Sequence, residues 1–167
     1  MTQLKHEHLG TFDPTQSGYS EGTRRFAERD VRLDLTIEKA GLSVETVQAL
    51  LSQLDRLEEL DRVARSALQL QADEDEDDEG AVMLYVDHHL EELDDEALAS
   101  LFAPRARDDL DVEAVLAKLA LVRVGLYPDD SDDALLLDYS LSEDLTNYIL
   151  CVRFDAEGQL RGIDLES

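Results

Sequence analysis

The residues whose types and spacing could do chemistry fall into two acidic stretches and a histidine pair. Asp73, Glu74, Asp75, Glu76, Asp77, Asp78 and Glu79 form an unbroken run of carboxylates. Clustered oxygen ligands suit a calcium loop, which also needs a glycine at about loop position six and a bidentate glutamate at about position twelve. With Asp75 as first ligand, Asp77, Glu79 and Gly80 fall in register, but Val86 stands where the closing glutamate belongs. The motif fails at its most specific residue, and residues 73–80 read instead as a solvated acidic linker.

The second candidate is His88 with His89, flanked by Asp87, Glu91 and Glu92. On a helix His88 and Glu92 share a face, as two metal ligands would, yet the His-Glu-x-x-His pattern of zinc proteases is absent and two ligands do not make a site. His6 and His8 would add ligands only if the N-terminus folded back. The plainer expectation puts His89 at the core margin with its ring nitrogens hydrogen-bonded, and His88 at the surface. Asp129 to Asp133 reads as a solvated turn between strands.

Other reaction centres leave no trace. There is no glycine-rich phosphate loop, no Gly-x-Ser-x-Gly elbow and no paired-cysteine motif, so neither a cofactor nor an enzymatic activity is expected. The single cysteine, Cys151, excludes an internal disulfide and falls within a strand pattern, where a buried, inert thiol is expected. Tyr19, Tyr85, Tyr127, Tyr139 and Tyr148 mostly fall on apolar faces and read as core and rim rather than as a ligand pocket.

These residues must be positioned by a fold, and the last third of the chain sets its frame. Leu121–Tyr127, Ala134–Ser140, Thr146–Phe154 and Gln159–Leu165 read as a meander of antiparallel strands. In the third, Tyr148, Leu150, Val152 and Phe154 share one face, and Gly158 supplies the positive φ of a tight hairpin. Leu9–Asp13 reads as a short opening strand before a turn-rich segment, and Val31, Leu33, Leu35 and Ile37 alternate with polar residues as a half-buried strand. This last strand is expected to extend back through Arg24 and Phe26.

The middle of the chain changes period. Ser43 reads as the N-cap of one long helix, with Val47, Leu50, Leu54, Leu57, Ala64 and Leu68 on a continuous stripe and Glu58–Arg62 and Asp61–Arg65 paired on its outer face. The carboxylates from Asp73 and then Gly80 end it. Shorter helices follow over Val82–Leu93, Glu96–Phe102 and after Asp111. The expected fold is α+β: one domain over residues 1–167 with a flexible N-terminus at 1–8. Its antiparallel sheet of about five or six strands combines an N-terminal strand or hairpin with the four-strand C-terminal meander, covered on one face by a long helix and shorter ones.

Composition bounds what such a domain binds. Forty Asp and Glu against 15 Lys and Arg leave a formal charge of −25, which argues against nucleic acid, whose phosphates need a basic face. An apolar fraction of 43% is enough for a core. With no signal-peptide-like or membrane-spanning run, the cytoplasm is the expected location and no membrane partner is expected.

Leu121-Val-Arg-Val-Gly-Leu-Tyr-Pro128, Leu137-Asp-Tyr139, Tyr148-Ile-Leu-Cys-Val-Arg-Phe-Asp155 and Ile163-Asp-Leu-Glu-Ser167, with Tyr85-Val-Asp-His-His-Leu90 upstream, resemble a small uncharacterised bacterial family of α+β fold. That resemblance implies a bacterial cytoplasmic protein and brings no catalytic residues. In size and acidity the chain is also similar in type to immunity proteins of bacterial toxin systems. The leading expectation is therefore a non-enzymatic module binding a basic protein, through residues 73–79 and Asp87, Glu91 and Glu92. A metal-binding protein or metal-dependent enzyme using His88 and nearby carboxylates is the alternative. A structural homodimer, rather than a monomer, is the third reading.

Overall fold

The computed structural model describes residues 3–167. Of the N-terminal stretch expected to be flexible, residues 1 and 2 lie outside the described residues, and Leu4–His6 forms strand β1. It pairs with β2 (Gly10–Phe12) in a two-stranded hairpin of its own. The main chain of His8 in its loop lies against Gly22, where a Cβ would collide with the His8 carbonyl, so only glycine allows this approach.

The main sheet has six strands, β3 (Gly18–Phe26), β4 (Arg29–Ile37), β5 (Ala120–Leu126), β6 (Leu135–Ser140), β7 (Ile149–Phe154) and β8 (Leu160–Glu166), side by side in chain order. The alternation read from the sequence sets the faces: Val31, Leu33, Leu35 and Ile37 on β4 and Leu150, Val152 and Phe154 on β7 are all buried in one core. The C-terminal meander forms as expected, with β5 to β8 antiparallel throughout.

The expectation of a wholly antiparallel sheet is corrected, because β4 and β5 run parallel, Arg32 opposite Arg123 and Leu35 opposite Leu126. The helices between them form a crossover that returns the chain to the same end of the sheet, as parallel neighbours require. The backward extension of the Val31 strand is corrected as well. Residues 18–26 form a separate antiparallel strand, and the reversal falls at Ala27 and Glu28, both with positive φ (51° and 66°). That left-handed pair carries neither the Gly nor the Asn that normally marks such a turn.

The long helix is also divided. Ser43 caps α1 (Val44–Leu51) by accepting from Thr46 N–H, a 3-10 segment follows over Ser52–Arg56, and α2 (Leu57–Glu74) completes the stripe. In the 3-10 segment the Leu54 carbonyl accepts from Leu57 N–H and from the Arg24 guanidinium, tying the helix layer to β3. Leu57, Leu60, Ala64 and Leu68 then face the sheet, and the Asp61–Arg65 pair forms at 3.1 Å. Helices α3 (Ala81–Glu92), α4 (Asp95–Phe102, capped by Asp94) and α5 (Val112–Lys118, capped by Asp111) finish the layer. Among the described residues no helix is long and apolar enough to cross a membrane.

Candidate functional site

All the helices cover one face of the sheet, so the other face is where polar strand residues collect. Arg32, Arg123, Asp138, Cys151 and Asp164 are register partners and form one row across β4 to β8. Arg123 is the hub. Its guanidinium grips Asp34 through two bonds (Nε to Oδ2 2.6 Å, Nη2 to Oδ1 2.8 Å), donates to Asp138 Oδ2 at 2.9 Å and reaches the Tyr127 hydroxyl at 2.6 Å. Gly125 makes room for it, since a Cβ there would press on the guanidinium and the Tyr127 ring. Burial alone would lower the basicity of Arg123, but the bonds to Asp34 and Asp138 outweigh it and raise it.

The rest of this face is less evenly balanced. Arg32 pairs with Glu143 at 2.7 Å, and Arg153 lies between Asp133 (2.8 Å) and Asp164 (2.6 Å). Towards β8 the carboxylates of Asp138, Asp164 and Glu166 surround Cys151, which is 1% exposed. Burial, then Asp138, raises the thiol well above its usual pKa, and burial with Asp138 and Asp164 raises that of Glu166. Cys151 is thus buried, as expected, with its thiol held protonated.

Tyr127 was named from the sequence as a core or rim residue, but Asp34, Asp138 and Arg123 were not recognised as a site. The signal available was Asp34 between Leu33 and Leu35, Asp138 between Leu137 and Tyr139, and Arg123 between Val122 and Val124. Opposite charges at the centres of apolar strands must either meet one another or lie exposed, and here they meet.

The acidic run and the histidine pair that were singled out lie on the helical side. Asp75 organises the acidic run, its carboxylate accepting from Glu79 N–H (3.3 Å) and Gly80 N–H (2.8 Å), directly before α3. Asp73 and Glu74 belong to the last turn of α2. Burial, then the nearby charges of Asp78, Glu91 and Asp75, raises the pKa of Asp87. The two stretches proposed separately from the sequence therefore share one negative field, which Asp87 joins. Glu92 is exposed, and His88 packs its ring against Tyr148 with centroids 4.5 Å apart.

His89 is 1% exposed, with Nδ1 2.6 Å from the Tyr85 carbonyl and Nε2 2.8 Å from Thr146 Oγ1. Tyr85, Tyr139 and Tyr148 are core or rim residues, whereas Tyr19 is 62% exposed on the polar face. Among the described residues, the one grouping of three metal-ligating side chains is Asp138, Cys151 and Glu166, not His88 with Glu92.

A third feature lies where the helix layer meets the edge of the sheet. Strand β8 is the last of the sheet, and its inner-face residues Leu160 and Ile163 line a groove with Val63, Ala67 and Leu70 of α2. Leu70 and Leu160 are 56% and 43% exposed, and Glu74 lies at the end of the groove next to the acidic run. No family model, curated protein or solved structure matches the chain.

Proposed function

We propose that the protein is a non-enzymatic binding module that takes a basic, partly apolar segment of a partner protein along β8. The observation that carries this reading is the groove itself: an apolar trough beside an edge strand, ending at Glu74 where the shared field of Asp75, Asp78, Asp87 and Glu91 begins. An edge strand offers backbone donors and acceptors to an added strand, and exposed Leu70 and Leu160 offer it apolar contact. A net charge of −25 repels a second copy and speeds encounter with a cation-rich partner. A basic toxin in a bacterial cytoplasm is one such partner, in keeping with the type to which the chain is similar.

A defined probe tests this without knowing the partner. A fluorescein-labelled peptide of alternating lysine and valine is expected to bind and a glutamate–valine control is not, with affinity falling as salt rises from about 0.05 to about 0.5 M. Leu70→Glu is expected to weaken binding by about tenfold or more, because it places a charge in the groove. Equal affinity of this variant and the wild type would reduce the interaction to unspecific charge attraction and refute the docking site.

A further inference from the structure

The corner of the polar sheet face near β8 holds a feature that the binding reading does not use. Asp138 is only 3% exposed, and its two carboxylate oxygens differ. Oδ2 accepts from Arg123 Nη1 at 2.9 Å, while Oδ1 is fully enclosed and, among the described residues, has no hydrogen-bond donor of good geometry. Leaving a buried carboxylate oxygen unanswered costs on the order of 1–3 kcal/mol, so such an atom calls for a partner.

The groups facing it are acidic too. One ligand atom from each of Asp138, Cys151 and Glu166 lies within 4.8 Å of the other two. Asp164, opposite Cys151 in the register, adds a further carboxylate. The two nearby cations are each shared with a carboxylate outside the corner, Arg123 between Asp34 and Asp138 and Arg153 between Asp133 and Asp164. Negative charge at this corner therefore exceeds what the protein's own cations neutralise.

We propose that Asp138, Cys151 and Glu166 form a site for one zinc-class divalent cation, bound by the Cys151 sulfur, Asp138 Oδ1 and a Glu166 oxygen. A thiolate beside two carboxylates suits a borderline metal such as zinc rather than magnesium or calcium, which take oxygen alone. Zinc–sulfur and zinc–oxygen bonds of about 2.3 and 2.1 Å set neighbouring ligand atoms about 3.5 Å apart in a tetrahedron. Glu166, the exposed member at the sheet edge, is the ligand with room to close from the present separation of up to 4.8 Å.

Arg123 holds Asp138 through the other oxygen, the orienting role that a partner outside the ligand set plays in metal sites. Binding exchanges the thiol proton for the metal: the S–H bond breaks, a metal–sulfur bond forms and one proton leaves to solvent. Water would supply a fourth ligand, as it does where a protein provides three. Hydrogen-bond donation from Cys151 to Asp138, with no metal, is the competing account of the same geometry.

Cobalt titration of tag-free, metal-stripped protein separates the two. The expected result is one equivalent of Co2+ bound with a thiolate-to-cobalt absorption band, release of one proton, displacement by Zn2+ and resistance to excess Mg2+. Cys151 is the only cysteine in the chain, so the band assigns the ligand even if Cys151→Ser does not fold. Glu166→Gln, at the exposed end, is expected to weaken cobalt binding by about tenfold or more, and Asp77→Asn in the acidic loop is expected to leave it unchanged. Stoichiometric cobalt without a sulfur band, or a band insensitive to Glu166→Gln, overturns the site. In the first case the corner holds a thiol–carboxylate hydrogen bond only, and in the second Glu166 is no ligand.

Discussion

Tyr139 donates from the sheet to Asp61 on α2, its hydroxyl 2.6 Å from Oδ1, while Arg65 holds the same carboxylate at 3.1 Å. The phenol is fully buried, and burial together with the Asp61 charge keeps it protonated and able to donate. Sheet and helix layer are thereby fastened by a charge-assisted bond within an otherwise apolar seam. Tyr139→Phe is expected to cost about 1.5–3 kcal/mol of stability in urea unfolding, the worth of a hydrogen bond to a charged group. A loss under about 0.5 kcal/mol would mean that water answers Asp61 equally well.

His89 links α3 to the segment before β7 in one protonation state. Nδ1–H donates to the Tyr85 carbonyl, and the Thr146 hydroxyl, which accepts from Tyr148 N–H, donates to Nε2. Burial, with a smaller push from His88, lowers the His89 pKa. The folded state thus binds this proton less readily than the unfolded chain. Its contribution is complete above the unfolded value of about 6.5 and is lost as pH falls through the window below it. Thr146→Val is expected to cost about 1–3 kcal/mol near neutral pH, because Nε2 loses its donor. Thermal melts from neutral to mildly acidic pH would show wild-type stability falling through that window, and a flat profile would contradict the assignment.

Asp87 behaves in the opposite sense. Its pKa is raised by burial and by Asp78, Glu91 and Asp75, so the folded state holds the proton more tightly. Stability then falls as pH rises from the ordinary carboxylate range through the raised value. Asp87→Asn is expected to raise the melting temperature near neutral pH, with the gain shrinking at acid pH and in high salt. Destabilisation by this substitution would show that the field does not converge on Asp87.

Gly22 has the tightest neighbour of any strand glycine, the His8 main chain. Gly22→Ala is expected to push the β1–β2 hairpin off β3, exposing Leu9, which is now buried. Limited proteolysis would then cut near residues 7–11 well before the wild type. Equal resistance would mean that the backbone accommodates the methyl group at little cost.

The strands of the C-terminal meander were legible because Leu150, Val152 and Phe154 repeat at the strand period above a single core. Helix starts were legible at Ser43 and Asp111, where a side-chain oxygen accepts from the first turn. The β3–β4 reversal was not, because Ala27 and Glu28 take left-handed φ without a residue that favours it. Nor was the parallel β4–β5 pairing, which depends on where the crossover returns the chain and not on any local pattern. Of the site, the acidic residues could be read as a composition, but that Asp75, Asp78, Asp87 and Glu91 share one field is a tertiary fact. The groove was missed because Val63 and Leu70 fall outside the buried stripe of α2 and acquire meaning only beside Leu160 and Ile163.

Hydrogen exchange with the lysine–valine peptide in excess tests docking at the sheet edge most directly. Protection is expected to rise in β8 (Leu160–Glu166) and along the outer turns of α2 near Leu70, with β3 at the opposite edge unchanged. Binding that leaves β8 exchange unaltered, or protects β3 instead, would contradict the proposed function.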